Sequence, residues 1–289
     1  MRTFSHKRLK VIGLVRRKLE NAVEYETMVC DCTDAEQVRK AVCETAPDYA
    51  LHLAGRNAVG DSWTDPAGHF TANVMSTVYL LDALRAFPAC QTLIVGSMLN
   101  FKLSAKPQPV SPYSLTKTLQ TLTAHSWREL YGQPIKVALP SNLIGPGFSG
   151  GVCGLLARKA VQVERAGDET PFRLSSLVEQ RDFLDVRDAV RAYERILFHG
   201  ASGVEYRVAS GNLHSLEDVV NGFQKICSRP IPIEVGTALP KQSAEPINID
   251  GVKSIGWVPQ YSFDESLQDA FRFFLDLKTA SPSQNNTLS

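Results

Sequence analysis

The sequence predicts an α/β protein built on a doubly wound parallel sheet with helices on both faces. Short apolar runs of strand length alternate with amphipathic helical segments through the first half of the 289 residues, the signature of parallel strands buried on both sides. Small or polar residues follow the strand-like runs, where such sheets bind their ligands. The composition also permits a core: 44% of residues are hydrophobic and 21% are charged, close to the globular average.

The elements are read in chain order. Lys10–Val15 is a buried strand, ended by Arg16-Arg17-Lys18, and Tyr25–Val29 is a second strand. Asp31-Cys32-Thr33-Asp34 is a turn able to cap the helix Ala35–Thr45. Asp48–Ala54 is a strand with a small-residue turn, and Pro66–Ala86 carries apolar residues at helical spacing. Thr92–Val95 is a strand leading into Gly96-Ser97, and a helix spans about Pro112–Tyr131. Ile135–Leu139 is a strand, followed by the loop Gly145-Pro146-Gly147. Beyond it, Gly154–Arg165, Val186–Phe198, Ser215–Cys227 and Asp264–Leu277 are helical, with a short strand at Val204–Val208. The polar tail Thr279–Ser289 has no periodicity and is expected to be disordered. The expected organisation is a dinucleotide-binding domain over 1–145, a mainly substrate-binding region over 146–278 with segments returning to the sheet, and the tail over 279–289.

Charge and cysteine content narrow the function classes. Lys plus Arg is 31 and Asp plus Glu is 30, a net charge of +1. Nucleic-acid and membrane-surface proteins usually need a basic excess, so neither partner is expected. No apolar run is long enough to span a bilayer and Met1–His6 lacks a signal-peptide core, so a cytoplasmic location is expected. The cysteines are scattered apart from Cys30-Asp31-Cys32. They read as reduced thiols, with no metal site.

The ligand-facing positions begin with Arg16, Asp31, Ala54, Ser97 and Asn142, each following a predicted strand. The clearest chemistry is Tyr113-Ser114-Leu115-Thr116-Lys117. Four residues make about one helical turn, so phenol and ammonium share a face. A nearby ammonium is expected to lower the phenol pKa and make Tyr113 a proton donor or acceptor near neutrality. Chance alone would place about 0.4 such pairs in a chain of this composition, so the pair by itself also fits two surface residues. Ser97, directly after an apolar strand, adds a hydroxyl able to reach the same carbonyl.

Several further segments go with these: Pro47-Asp48-Tyr49, His52-Leu53-Ala54-Gly55, Asp61-Ser62-Trp63, Thr71-Ala72-Asn73-Val74, Ser111-Pro112 before the tyrosine, Asn142 through Gly147, Arg181 through Asp188, and Gly256-Trp257. Together they resemble the extended short-chain dehydrogenase/reductase family of NAD(P)-dependent sugar-nucleotide epimerases, dehydratases and reductases. The resemblance covers about residues 8 to 275. Within the family the chain is most similar to GDP-4-keto-6-deoxymannose reductases and GDP-mannose 4,6-dehydratases, enzymes of GDP-mannose metabolism.

The resemblance implies a Rossmann-like fold and a homodimer formed through the helices of Pro66–Ala86 and Pro112–Tyr131. It implies reduction of the C4 keto group of a GDP-4-keto-6-deoxy sugar. The alternatives are a nucleotide-sugar epimerase or an inactive paralogue serving as a binding subunit. It implies catalytic roles for Ser97, Tyr113 and Lys117, with Tyr113 and Lys117 also facing the cofactor. Arg16 falls where a base meets the 2′-phosphate of NADP, which favours NADP over NAD; strand-end solvation explains Arg16 equally well. Asp31 and Cys32 fall at the adenine, although Asp31 also fits a helix cap. Leu53, Ala54 and Gly55 fall along the cofactor, and Asn73 at a bracing position. Asn142, Arg158 and Arg181 fall at the nucleotide sugar, with surface salt bridges as the plainer reading of the two arginines. Lys241 stands where a diphosphate-binding arginine is usual, keeping charge but not the bidentate fork.

The departures from the family are equally specific. The family opens with a strand and a G-x-x-G-x-x-G turn that holds the cofactor pyrophosphate. This chain has no such turn, and its first recognisable strand matches the family's second. The expectation is therefore either a misplaced chain start or an N-terminally truncated sheet that binds NAD(P) weakly or not at all. Leu99 stands where dehydratases carry glutamate. The loop between Ser97 and Tyr113 is short, and Phe101 replaces a usual tyrosine.

Overall fold

The computed structural model describes residues 9–18, 23–236 and 245–277. Lys241 and the tail from Thr279 lie outside the described residues. The chain forms two compact units. The first comprises Met1–Pro140, Val190–Arg207 and Gly251–Trp257; the second comprises Ser141–Ala189, Val208–Asp250 and Val258–Ser289.

In the first unit, strands β1 (Ile12–Val15) and β2 (Glu26–Val29) pair in parallel. Strands β3 (Tyr49–His52), β4 (Gln91–Val95) and β5 (Ile135–Pro140) form a second parallel set. With β9 (Glu205–Val208) on its far edge, this set has the order β3-β4-β5-β9. Among the described residues, β1 and β3 are each hydrogen-bonded on one side only. Both sets are parallel, as a doubly wound sheet requires, and among the described residues no strand hydrogen-bonds β1 to β3. Burial follows this pairing. β4 and β5 are almost wholly buried, whereas β1 and β3 carry half-exposed side chains.

One apolar cluster spans the gap in hydrogen bonding. Leu14, Met28 and Cys30 pack with Val38, Ala41 and Val42 of the Ala35–Thr45 helix, and with Ala50, Tyr79 and Leu84. The N-cap of that helix is Asp34, which accepts from the Glu36 and Gln37 amides. Asp31, the other capping candidate, instead turns its carboxylate on Thr33. A second cluster joins Leu81, Ile94, Ala124, Ile135, Val137 and Leu139. Burying each such aliphatic side chain contributes about 1.5–3 kcal/mol, and this cluster seats the Pro112–Tyr131 helix on β4 and β5.

The Pro66–Ala86 region is helical but not uniformly α. An α-turn at Pro66–His69 leads into a π-helical segment, Phe70–Met75, then an α-helix Ser76–Ala83 and a 3₁₀ turn Leu84–Ala86. π-Turns are frequent at functional sites, and this one holds Asn73.

In the second unit, β6 (Asn142–Ile144) and β8 (Gln180–Asp185) run parallel, and β10 (Leu213–Ser215) pairs antiparallel to β8. A parallel pair joins β7 (Phe172–Leu174) and β11 (Ile233–Val235). Helices Val152–Ala166, Leu216–Ile226 and Phe263–Asp276 share one core with these strands. Most of these strands are three residues long, too short for a period-two pattern to stand out.

Candidate active site

Backbone geometry fixes Ser97. The β4–β5 ladder continues past Val95: the Gly96 amide donates to Ala138 O at 2.8 Å and the Met98 amide to Pro140 O at 3.1 Å. Ser97 sits between these anchors. Its hydroxyl accepts from the Leu99 amide at 3.1 Å and lies close enough to the Tyr113 phenol to act on its pKa. Gly96 matters because a Cβ there would lie 2.8 Å from the Leu139 side chain and 3.0 Å from Thr121.

Tyr113 is placed by the start of its helix. Ser111 and Ser114 cap each other reciprocally, each amide donating to the other's hydroxyl at 3.1 Å, and Pro112 occupies the first turn. This is a capping box with serine in the reciprocal position. It sets Tyr113 near the helix start and Lys117 one turn later. Both are buried, 8% and 7% exposed. The Lys117 ammonium donates to Val95 O at 2.8 Å and to the Gln120 side-chain oxygen.

The expected lowering of the tyrosine pKa is not what the structure has. Burial pushes the Tyr113 phenol up, with the Ser97 hydroxyl opposing it in part. Burial pushes Lys117 down to about 7. The low dielectric that would strengthen an ammonium–phenolate attraction also disfavours each charge. Tyr113 is therefore protonated at neutral pH, the form required of a proton donor.

Asn73, fully buried, ties three parts of the site together. Its oxygen accepts from the Arg56 amide at 2.7 Å, and its amide donates to Arg56 O at 3.1 Å and to Thr116 Oγ1 at 2.9 Å. Thr116 in turn donates to Tyr113 O. Gly55 permits this approach: its φ is 155°, and a Cβ would lie 2.7 Å from the Asn73 oxygen.

The carboxyl ends of the other strands carry the remaining predicted residues. Arg16 is exposed after β1, and its charge helps hold the Asp31 carboxyl low, after the larger effect of the Thr33 hydrogen bonds. Cys32 is half-buried beside Cys30, and burial raises both thiols. Leu53, directly after β3, is 57% exposed. An arginine and a carboxylate beyond parallel strands, an exposed leucine and a braced glycine fit the adenosine side of a dinucleotide. The Ser–Tyr–Lys cluster, with Tyr113 and Lys117 buried, fits the nicotinamide side. None of the described residues forms a glycine-rich pyrophosphate turn.

The second unit carries the predicted sugar-nucleotide contacts. Asn142 is exposed on β6 and donates to Asp182 O at 2.9 Å. Arg181 is paired with Glu179 at 2.8 Å. Arg158 is exposed, with its guanidinium 5.8 Å from the Phe274 ring. The acidic residues of the Arg181–Asp188 segment hold the fold. Asp182 accepts from Ser141, Ser210 and the Gly211 amide. Asp185 binds Arg187 and Ser266, and Asp188 accepts from the Gln260 and Tyr261 amides.

A doubly wound parallel sheet with a Ser–Tyr–Lys cluster at its carboxyl ends is the arrangement of short-chain dehydrogenases/reductases. The chain belongs to the NAD dependent epimerase/dehydratase family, whose model matches residues 1–209. It is 28% identical to GDP-6-deoxy-D-mannose reductase of Pseudomonas aeruginosa, over 77% of this chain and 78% of that one. It is 25% identical to UDP-glucose 4-epimerase of Rhizobium leguminosarum bv. trifolii, over 83% and 81%. Among solved structures, RMD from Pseudomonas aeruginosa complexed with NADPH superposes with a TM-score of 0.78 at 24% identity, covering 89% of this chain and 92% of that one. UDP-glucose 4-epimerase of Thermus thermophilus, in complex with NAD, superposes with a TM-score of 0.81 at 20% identity, covering 96% and 94%.

Proposed function

We propose that this protein is an NAD(P)-dependent oxidoreductase that reduces the C4 keto group of a GDP-4-keto-6-deoxy sugar, with NADP(H) favoured by Arg16. The observation that carries the reading is the Ser97–Tyr113 hydroxyl pair with Lys117 buried one turn away. The reductase relative supports the choice of substrate.

When bound, the nicotinamide supplies the hydride. Tyr113 gives the proton to the sugar oxygen, Ser97 donates a hydrogen bond to that oxygen, and Lys117 orients Tyr113 and the cofactor ribose. Asn73 and Gly55 hold the loop after β3 against the catalytic helix. Arg16, Asp31, Cys32, Leu53, Ala54 and Gly55 are proposed cofactor contacts. Asn142, Arg158 and Arg181 are proposed substrate contacts of the second unit.

The epimerase relative supports a second reading, in which the same Ser–Tyr–Lys set serves oxidation and re-reduction at one carbon. The reaction types separate in one assay. With a GDP-4-keto-6-deoxy sugar, NADPH is expected to be consumed faster than NADH. With UDP-glucose, epimerisation without net consumption of cofactor would favour the second reading.

Leu99, 40% exposed, offers no carboxylate to take a proton from C5. No 4,6-dehydratase activity on GDP-mannose is therefore expected. Appearance of the 4-keto-6-deoxy product from GDP-mannose would overturn the assignment of reaction type.

Among the described residues no helix is long and apolar enough to cross a membrane, and a cytoplasmic homodimer is the proposed working form. Leu122 and Leu130 of the Pro112–Tyr131 helix, 42% and 70% exposed, supply apolar surface for it. Light scattering on a size-exclusion column should give twice the chain mass; a concentration-independent monomer would remove the dimer from the proposal.

A further inference from the structure

Lys117 ends a buried hydrogen-bond chain that runs through Gln120 and Thr77 to His52 of β3. Thr77 Oγ1 carries one hydrogen and donates it to Asn73 O at 2.8 Å. It accepts from the Gln120 amide nitrogen at 2.9 Å. His52 Nε2 lies 3.0 Å from the same oxygen and 3.4 Å from Ser76 Oγ. The Lys117 ammonium can only donate, which sets the Gln120 amide with its oxygen toward Lys117 and its nitrogen toward Thr77. That oxygen accepts from the Lys117 ammonium, which donates a second bond to Val95 O. All four side chains are buried: His52 is 4% exposed, Thr77 and Gln120 0%, and Lys117 7%.

We propose that Gln120, anchored by Thr77, is a positioning residue for Lys117, holding the amine in place and favouring its charged form. The inference rests on the reading of Lys117 as part of the active site. An ammonium taken out of water needs acceptors for its protons. Here both acceptors are neutral oxygens, one from the backbone and one from Gln120. A third N–H remains for the site.

The neutral amide also explains why the group is poised. Burial alone sets Lys117 near neutrality, and no nearby carboxylate acts on it. The titratable neighbours are His52 from β3, Tyr113 on the same helix, and Tyr193 of the Val186–His199 helix beside Tyr113. His52, pushed down to about 3 by burial and by the Lys117 charge, is neutral at any working pH. It enters the chain as a neutral ring.

The test uses the full chain with Gln120→Met, which keeps length but removes both polar atoms; Gln120→Glu, which keeps shape and adds charge; and Thr77→Val, which removes the anchor while keeping volume. Lysine side-chain NMR titration of the ligand-free protein reads Lys117 directly and needs no substrate. The Lys117 pKa is expected to fall by about one unit in Gln120→Met and to rise by about one unit or more in Gln120→Glu. Thr77→Val should move it in the same direction as Gln120→Met, by less. In turnover, the alkaline fall in kcat should move to lower pH in Gln120→Met and to higher pH in Gln120→Glu. A Lys117 pKa unchanged in both Gln120 variants, with only thermal stability altered, would overturn the proposal and leave Gln120 a packing residue. Failure of the wild type to turn over any nucleotide sugar would count against the proposed function, while the NMR shifts would still decide the role of Gln120.

Discussion

Replacing Tyr113 by Phe is expected to lower the rate of carbonyl reduction by roughly 10²- to 10⁴-fold, the usual worth of a general acid, or about 2.7–5.5 kcal/mol of transition-state stabilisation. The ring stays in the same buried position, so the site keeps its shape. The loss falls on the phenol's polar contact with Ser97 and on the proton itself. Stability should change by about 1 kcal/mol at most, the net worth of an ordinary hydrogen bond. Because burial raises the phenol pKa, the wild-type donor stays protonated throughout the neutral range. The effect should therefore be nearly independent of pH between about 6 and 8, within the range where an unperturbed tyrosine is also protonated. Parent-like kcat in Tyr113→Phe would remove the residue from the proton-donor role.

Asn73→Leu should produce the largest loss of stability among substitutions around the site. The side chain is fully buried, and the change leaves the Arg56 amide, the Arg56 carbonyl and the Thr116 hydroxyl without the partner each now has. Each buried polar group left unpaired costs about 1–3 kcal/mol. The loop can relax toward water, so a total of roughly 3–5 kcal/mol is expected. Thermal or urea unfolding reads this directly. A variant within about 1 kcal/mol of wild type would show that Asn73 does not brace the loop. Asn73→Asp keeps only the bond from the Arg56 amide and buries a charge, so it should be destabilised as well.

Much of the fold could be read from the chain because parallel βα units carry strong periodic signals. The run ending at Val95 is buried along most of its length, while those ending at Val15, Val29 and His52 are partly exposed and are legible from their short apolar stretches. Tyr113 and Lys117 share a helix face because their spacing dictates it. Other features left no such mark. The π-turn at Phe70–Met75 has the same apolar spacing as an α-helix over one turn. Strands such as Asn142–Ile144 and Phe172–Leu174 are held by their sheet partners rather than by a pattern of their own. Asp182, Asp185 and Asp188 look like site residues in a charged motif, yet each carboxylate holds neighbouring loops.

Gln120 and Thr77 were hidden for a related reason. A polar residue on a helix is ordinary until its burial is known, and only the three-dimensional network shows that each has a defined partner. Gln120 does lie three residues after Lys117, one turn along the same face. That spacing is the single signal that points to it. The pKa relation between Tyr113 and Lys117 was read from proximity alone, and burial reversed it, because desolvation acts on both groups before their mutual attraction can.

The claim that this site transfers hydride to a sugar carbonyl is tested most directly with NADPH deuterated at the transferable position of nicotinamide C4. The protein is incubated with this cofactor and a GDP-4-keto-6-deoxy sugar, and the product is analysed by NMR and mass spectrometry. The account predicts one deuterium at sugar C4 for each NADPH consumed, with the label lost in step with activity in Tyr113→Phe. Unlabelled product, or a sugar inverted at carbon without net consumption of NADPH, would contradict it.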